Sequence, residues 1–334
     1  MRRFLFGLVC TGVSLALLGQ LIDWRGALLA LETADPLFIA GAVTCLVFSI
    51  SAKVLRWRFL LPDESPVRMS RLYRILHISF LLNNVLPARL GDVARVAMTS
   101  RQPGVRLGHV ISSLLTERVT DTVTLLTCFV AISPFLPIPD QYTGWLHTAW
   151  YTLASIAGAA VLLAILRKHV RGVAARVHLP STPATERLRA EAGSFGDGFR
   201  QLAMRGRVIP IWGTSVVAWL GAFAINWLLL RALSIDVPVT VAVLLTCTTN
   251  LAMLIPSSPG YIGVFHAAAT LSLVPFDVDA ARALSFAIIA HLVNVLPVSI
   301  LGASFLLVGR ESLNVDLKGW RKQKADPAGA GAPH

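Results

Sequence analysis

Asn83-Asn84-Val85-Leu86-Pro87-Ala88-Arg89-Leu90-Gly91-Asp92-Val93-Ala94-Arg95 interrupts an apolar run with a helix breaker, a flexible glycine and three charges. The 12 residues from Ile75 to Leu86 that lead into Pro87 fall short of the ~20 a helix needs to cross a ~30 Å hydrocarbon core. That length suits a re-entrant segment. Backbone released by Pro87 and Gly91 finds no water in lipid, so it must be buried in protein or line a wet cavity, with Asn83 and Asn84 at hand to bond it. The competing reading is an ordinary cytoplasmic loop whose arginines follow the positive-inside rule.

A second stretch, Asn250-Leu251-Ala252-Met253-Leu254-Ile255-Pro256-Ser257-Ser258-Pro259-Gly260-Tyr261-Ile262-Gly263, repeats the order Asn, apolar residues, Pro, three residues, Gly. Pro87 and Gly91 answer Pro256 and Gly260, and Pro259 adds a second breaker. The region Val239 to Val274 that contains it is long enough for two passes but broken in the middle. Outward from these two breaks lie six clear spans: Phe4 to Ile22, Pro36 to Val54, His109 to Ser133, Trp145 to Leu166, Ile209 to Leu230 and Ala281 to Val308. The expected fold is therefore all-α: a polytopic membrane protein with six spans and two broken, re-entrant helical hairpins. The spans flanking the two breaks run in opposite senses, so the halves read as an inverted repeat, the arrangement by which transporters place a site near the midplane.

Composition agrees. Of 334 residues 55% are hydrophobic and only 14% are Asp, Glu, Lys or Arg, and mean hydropathy is +0.66; soluble domains carry roughly 25% charged residues. The net charge of +12 could suggest nucleic acid, but the basic residues lie between apolar segments instead of along one soluble face. They follow the positive-inside rule: with the termini, Lys53–Arg74, Arg89–Arg106 and Arg167–Arg207 on one side, only Arg25, Arg118, Arg231 and Arg282 of the 30 fall elsewhere. That side is expected to be cytoplasmic, in a cell inner (plasma) membrane. Trp24, Trp57, Trp145, Trp150 and Trp212 sit near span ends, where indoles favour the headgroup layer. Met1-Arg2-Arg3 opens a first span, since no small-residue cleavage site follows Leu18. One membrane domain is expected over 1–310, with a polar, partly disordered tail over 311–334. Its cytoplasmic loop 167–207 holds an amphipathic helix in which Leu188, Ala192, Phe195, Phe199 and Leu202 share a face; a solvated helix packed on loops is the alternative. Cys10, Cys45, Cys128 and Cys247 all lie in apolar segments without paired spacing and read as small hydrophobes.

Thr116-Glu117-Arg118-Val119-Thr120-Asp121 carries three charges inside a span. Glu117 is 11 residues beyond Arg106, about 16 Å of helix, too deep to reach the interface. Glu117 and Asp121 share a face at i,i+4, and Arg118 can reach Asp121 at i,i+3. Intramembrane ionisable groups mark a site by default, the alternative being a structural cluster that locks this helix to Arg89 and Arg95. Arg89 is the expected further cation of this network. His291 and Asn294, at i,i+3 in the last span, form the corresponding polar pair of the second half.

At Pro87-Ala88-Arg89-Leu90-Gly91-Asp92 with Arg95, at Glu117-Arg118-Val119-Thr120-Asp121, and at Pro256-Ser257-Ser258-Pro259-Gly260 with Gly263 and Phe265, the chain resembles the lysylphosphatidylglycerol synthase transmembrane family. The likeness runs over about Phe4 to Val308. It implies a flippase-like domain of eight-helix type that moves an amphiphile, a modified phospholipid or polyprenyl-linked lipid, with Arg89, Arg95, Glu117, Arg118 and Asp121 in its polar centre. Asp92 and His266 stand where the family pattern leads one to expect Glu. Synthase members also carry a soluble aminoacyltransferase domain, for which the chain leaves no residues.

The leading expectation is thus a lipid flippase or transporter of a lipid-linked substrate. Arg89, Arg95 and Arg118 would hold an anionic head, Glu117, Asp121 and Asp92 would pair with them when the site is empty, and Asn84, His291 and Asn294 would line it. Two rivals are a membrane enzyme transferring a group to or from a lipid phosphate, with Glu117 or Asp121 as base, and a scaffold recruiting a partner through loop 167–207. No H-E-x-x-H, G-x-x-x-x-G-K-[ST], G-x-S-x-G or Cys/His metal spacing occurs, so the expectation is no enzyme, no cofactor and no metal. The expected partner is a membrane lipid or polyprenyl-linked substrate and not nucleic acid; the sequence carries no sign of oligomeric state.

Overall fold

The computed structural model describes residues 32–62, 67–86, 89–102, 104–136, 205–253 and 258–308, with five isolated positions between 144 and 193. Every regular element among them is helical. In chain order these are α1 (Pro36–Leu60), α2 (Met69–Val85), α3 (Leu90–Ser100), α4 (Leu107–Ile132), α5 (Arg205–Ala232), α6 (Val239–Ala252), α7 (Val264–Leu273) and α8 (Ala280–Val308), with a one-turn helix at Pro259–Tyr261. The expected span Phe4 to Ile22, most of Trp145 to Leu166 and of loop 167–207, and the tail lie outside the described residues, as do Pro87 and Pro256.

Among the described residues three helices are long and apolar enough to cross a membrane: α1, α5 from Gly206, and α8. α4 has 26 residues, also enough to cross, but carries Glu117, Arg118 and Asp121 in its middle. Two boundaries differ from the sequence reading in ways that matter. α1 does not stop at Val54 but continues to Leu60, which draws Arg56 out of the expected loop and into the helix, one turn beyond Lys53. α2 has 17 residues because its polar first turns, from Met69 to Arg74, are helical too.

α1 and α5 pack antiparallel, clasped at both ends. Asp35 caps α1 by accepting from the Leu37 N–H, and its own N–H donates to the Ala232 carbonyl at the far end of α5. At the other end Arg207 of α5 donates to the Phe59 and Leu61 carbonyls that close α1, supplying partners to a helix terminus that has none of its own. Between the clasps Ser49 donates to the Ala218 carbonyl at 2.8 Å, and a Cβ on Gly221 would lie 3.0 Å from that of Ser49. Small residues that let backbones approach are how helices associate where lipid removes the hydrophobic drive.

Four shorter helices form two pairs, α2 with α3 and α6 with α7. Gly91 sets the first: a Cβ there would collide with the Ser79 carbonyl oxygen and Asn83, while Ser79 donates to the Gly91 carbonyl at 2.9 Å. In the second, Thr248 and Ser272 join their hydroxyls at 2.7 Å. Residues flanking the two breaks touch. Arg89 donates to the Met253 carbonyl at 2.6 Å, its guanidinium lies over the Tyr261 ring at 5.5 Å, and Gly260 abuts the Asn84 carbonyl.

Candidate functional site

Both breaks hold backbone in conformations that side chains disfavour. Arg89 lies in the left-handed region at φ 54° and Tyr261 at φ 58°, beside Gly260 at 65° and Gly263 at 86°. Such residues cost of order 1 kcal/mol or more and collect at ligand sites. Here the strain aims the Arg89 side chain across to the second break. His291 of α8 holds that break from behind, through a 2.8 Å hydrogen bond between its Nε2 and the Gly260 carbonyl and by stacking on Phe265 at 5.0 Å. His266, where an acid was expected, caps α7 by accepting the Gly263 N–H at 3.4 Å and meets His291 edge-on.

The charges form a chain of arginine–carboxylate pairs. Arg56, wholly buried, donates to Asp121 through both terminal nitrogens at 2.6 and 3.1 Å and sits 3.7 Å from Glu117. Arg95 donates twice to Glu117 at 3.2 and 2.8 Å, with its guanidinium stacked 3.8 Å over Trp57. Arg118 pairs with Asp92 at 2.6 Å, and Asp92 is further held by the side chain of Asn83. Trp219 of α5 donates its indole N–H to Asp121 at 3.1 Å. Planar guanidinium matched to carboxylate gives these pairs geometry as well as charge.

Three expectations are corrected by this geometry. Arg118 does not satisfy Asp121 across one helical turn: it reaches Asp92 on α3, and Arg56 serves Asp121 instead. Arg89 joins no carboxylate among the described residues; it donates to the Met253 carbonyl and lies over the Tyr261 ring. Trp57, expected in the headgroup layer, is buried beneath Arg95.

A cavity of about 240 Å³ opens beside the network. Of the residues expected at the site, Asn84, Arg89, Glu117, Arg118, Asp121, His291 and Asn294 line it. Arg95 and Asp92 stand one contact behind, fixing Glu117 and Arg118. Sequence reasoning missed Lys53, Trp219, Asn226 and Tyr261, which also line the cavity, and Arg56, which holds Asp121. The signal for Lys53 and Arg56 was their i,i+3 spacing at the end of an apolar run, which puts both on one helix face. Apolar side chains line the cavity too, among them Leu46, Ile50, Phe80, Leu125 and Val298. A recess lined by both kinds of side chain suits a ligand with a charged head and an apolar body.

A helical membrane domain with paired charges around such a recess defines the class, and comparison with known proteins gives the family. Residues 4–302 match the family described as the lysylphosphatidylglycerol synthase TM region, and the chain belongs to it. It is 27% identical over 358 aligned positions to the protein named Glycosyltransferase AglD of Haloferax volcanii. That alignment covers 93% of this chain and 54% of the relative, so the chain spans about half the relative's length. No solved structure matches. The relative's name overturns the expectation, drawn from missing catalytic motifs, that the chain is not an enzyme, and that expectation is withdrawn.

Proposed function

We propose that this protein takes the anionic head of a lipid, or of a lipid-linked substrate, into the cavity beside Glu117, Arg118 and Asp121 and moves it across the membrane. One observation carries the reading: ion pairs lie deep in a helix of spanning length and open onto a recess lined by both charged and apolar side chains. Ionisable groups at such depth are expensive unless they serve a pathway or site. Guanidinium groups exchange carboxylate for phosphate with similar geometry, so the pairs can open for a lipid head. In this reading the protein has six spans and two re-entrant hairpins related by inverted repeat in a cell inner membrane, with both termini cytoplasmic. α2–α3 and α6–α7 are the hairpins. Reconstitution into liposomes with a headgroup-labelled anionic lipid tests it: quencher added outside should bleach both leaflets with protein present and only the outer leaflet without it. Labelling of a cysteine at position 190 from outside intact cells would overturn the orientation.

A second reading is favoured by the relative's name: the chain takes part in glycosyl transfer to or from a lipid-linked substrate. Transfer of a radiolabelled sugar from a nucleotide sugar to a lipid phosphate by purified protein, lost on changing Asp121 to Asn, would support this reading over transport alone.

A further inference from the structure

Three of the cations around the cavity are neutralised. Arg56 serves Asp121, Arg95 serves Glu117 and Arg118 serves Asp92. The same cavity is lined by two more, Lys53 from α1 and Arg89 at the start of α3. Neither carries an ion pair among the described residues. The ammonium of Lys53 lies 5.4 Å over the Trp219 ring, and Arg89 gives one nitrogen to the Met253 carbonyl and its face to Tyr261. An ammonium has three donors and a guanidinium five, so most of this donor capacity is unspent. Two cations without an ion-pair partner of their own, brought to one recess from different helices, are costly without an anion.

We infer that Lys53 and Arg89 together hold the substrate's phosphate, and that the substrate is a phosphomonoester or diphosphate carrying two or more negative charges, not a singly charged phosphodiester. This rests on the reading that the cavity binds an anionic head, and narrows it. The paired arginines then set the site's shape, while these two supply its charge. Trp219 links the two sets, since the ring beneath Lys53 also donates to Asp121.

The full chain in nanodiscs would be titrated at pH 8 with phosphatidic acid, farnesyl phosphate, farnesyl diphosphate, phosphatidylglycerol and inorganic pyrophosphate. Wild type should prefer the monoester and diphosphate lipids over phosphatidylglycerol by at least about tenfold, as loss of a charge-assisted contact implies. Lys53→Met and Arg89→Gln should each weaken the multiply charged lipids about tenfold and leave phosphatidylglycerol nearly unchanged. Unfolding temperature should hold in Lys53→Met, because no ion pair is broken. Lys53→Arg should keep the preference, and it supplies the comparison should the methionine variant not fold. Equal affinity for phosphatidylglycerol, or unchanged binding in both neutral variants, overturns the inference while leaving lipid binding in place. Binding of no anionic lipid overturns both readings. Tight binding of pyrophosphate with none of the lipids would support the two-cation site and overturn the lipid.

Discussion

Arg56 of α1 and Asp121 of α4, 65 residues apart in the chain, meet in a bidentate ion pair at 2.6 and 3.1 Å that excludes solvent from the guanidinium entirely. Such a pair adds little net stability against an apolar replacement of both partners, but removing one partner strands a buried charge. Arg56→Met should therefore cost about 3–5 kcal/mol. Arg56→Met combined with Asp121→Asn should recover much of the loss, and Arg56→Lys should lie between, keeping charge without the fork. Thermal unfolding of wild type, Arg56→Met, Asp121→Asn alone and the double variant in one detergent checks the cycle; additive losses would mean that the two residues are not coupled.

Gly91 makes a sharper test of the α2–α3 pair. Gly91→Ala places a methyl group into the Ser79 carbonyl and Asn83, so the pair must part or the protein lose folded yield. Gly213→Ala in α5 meets nothing within 4 Å and should be neutral or slightly stabilising, as alanine is the better helix former. Size-exclusion profiles of the two variants report the contrast directly.

The reasons some features were legible in the sequence and others were not are physical. α5 and α8 announce themselves because lipid admits only long apolar helices there, and expected and observed bounds agree within four residues or fewer at each end. The breaks were legible because Pro and Gly disrupt a helix wherever it lies. The end of α1 was not: Lys53 and Arg56 look like a cytoplasmic loop to any rule that counts charge, and only partners far away in the chain make them tolerable inside. For the same reason the other members of the network could be named, Arg56 excepted, while its pairing could not. Local spacing offered Arg118 to Asp121, and the fold supplied Asp92 and Arg56 from other helices.

The Arg118–Asp92 pair should behave differently from Arg56–Asp121. The Arg118 side chain is 32% exposed and faces the cavity, whereas that of Arg56 is not exposed at all. Solvent there screens an unmatched charge, so Asp92→Asn should cost nearer ~1 kcal/mol. Its functional effect should be the larger one: with Asp92 neutral, Arg118 is released toward the cavity and retention of anionic lipid should rise. Native mass spectrometry of co-purified lipid, normalised to folded protein, measures this; unchanged retention would assign Arg118 a structural role only.

Glu117→Gln joins the structural and functional arguments in one residue. Glu117 accepts two hydrogen bonds from Arg95 and lies 3.7 Å from Arg56, with its side chain 7% exposed. An amide can accept from only one of the two Arg95 donors and turns its own N–H₂ toward the other. Arg95, not the neighbouring Arg118, is thereby loosened, though Trp57 still supports its face. The buried cluster gains a net positive charge, so unfolding temperature should fall, by a loss of about 3–5 kcal/mol if nothing else moves in. An anionic head is what can move in, so lipid retained per folded molecule should rise, and added anionic lipid should restore more unfolding temperature to the variant than to wild type. Glu117→Asp keeps the charge on a shorter arm and should show the instability without the gain in lipid. A purely structural Glu117 predicts otherwise: retention would follow folded yield in both variants, and lipid would rescue neither.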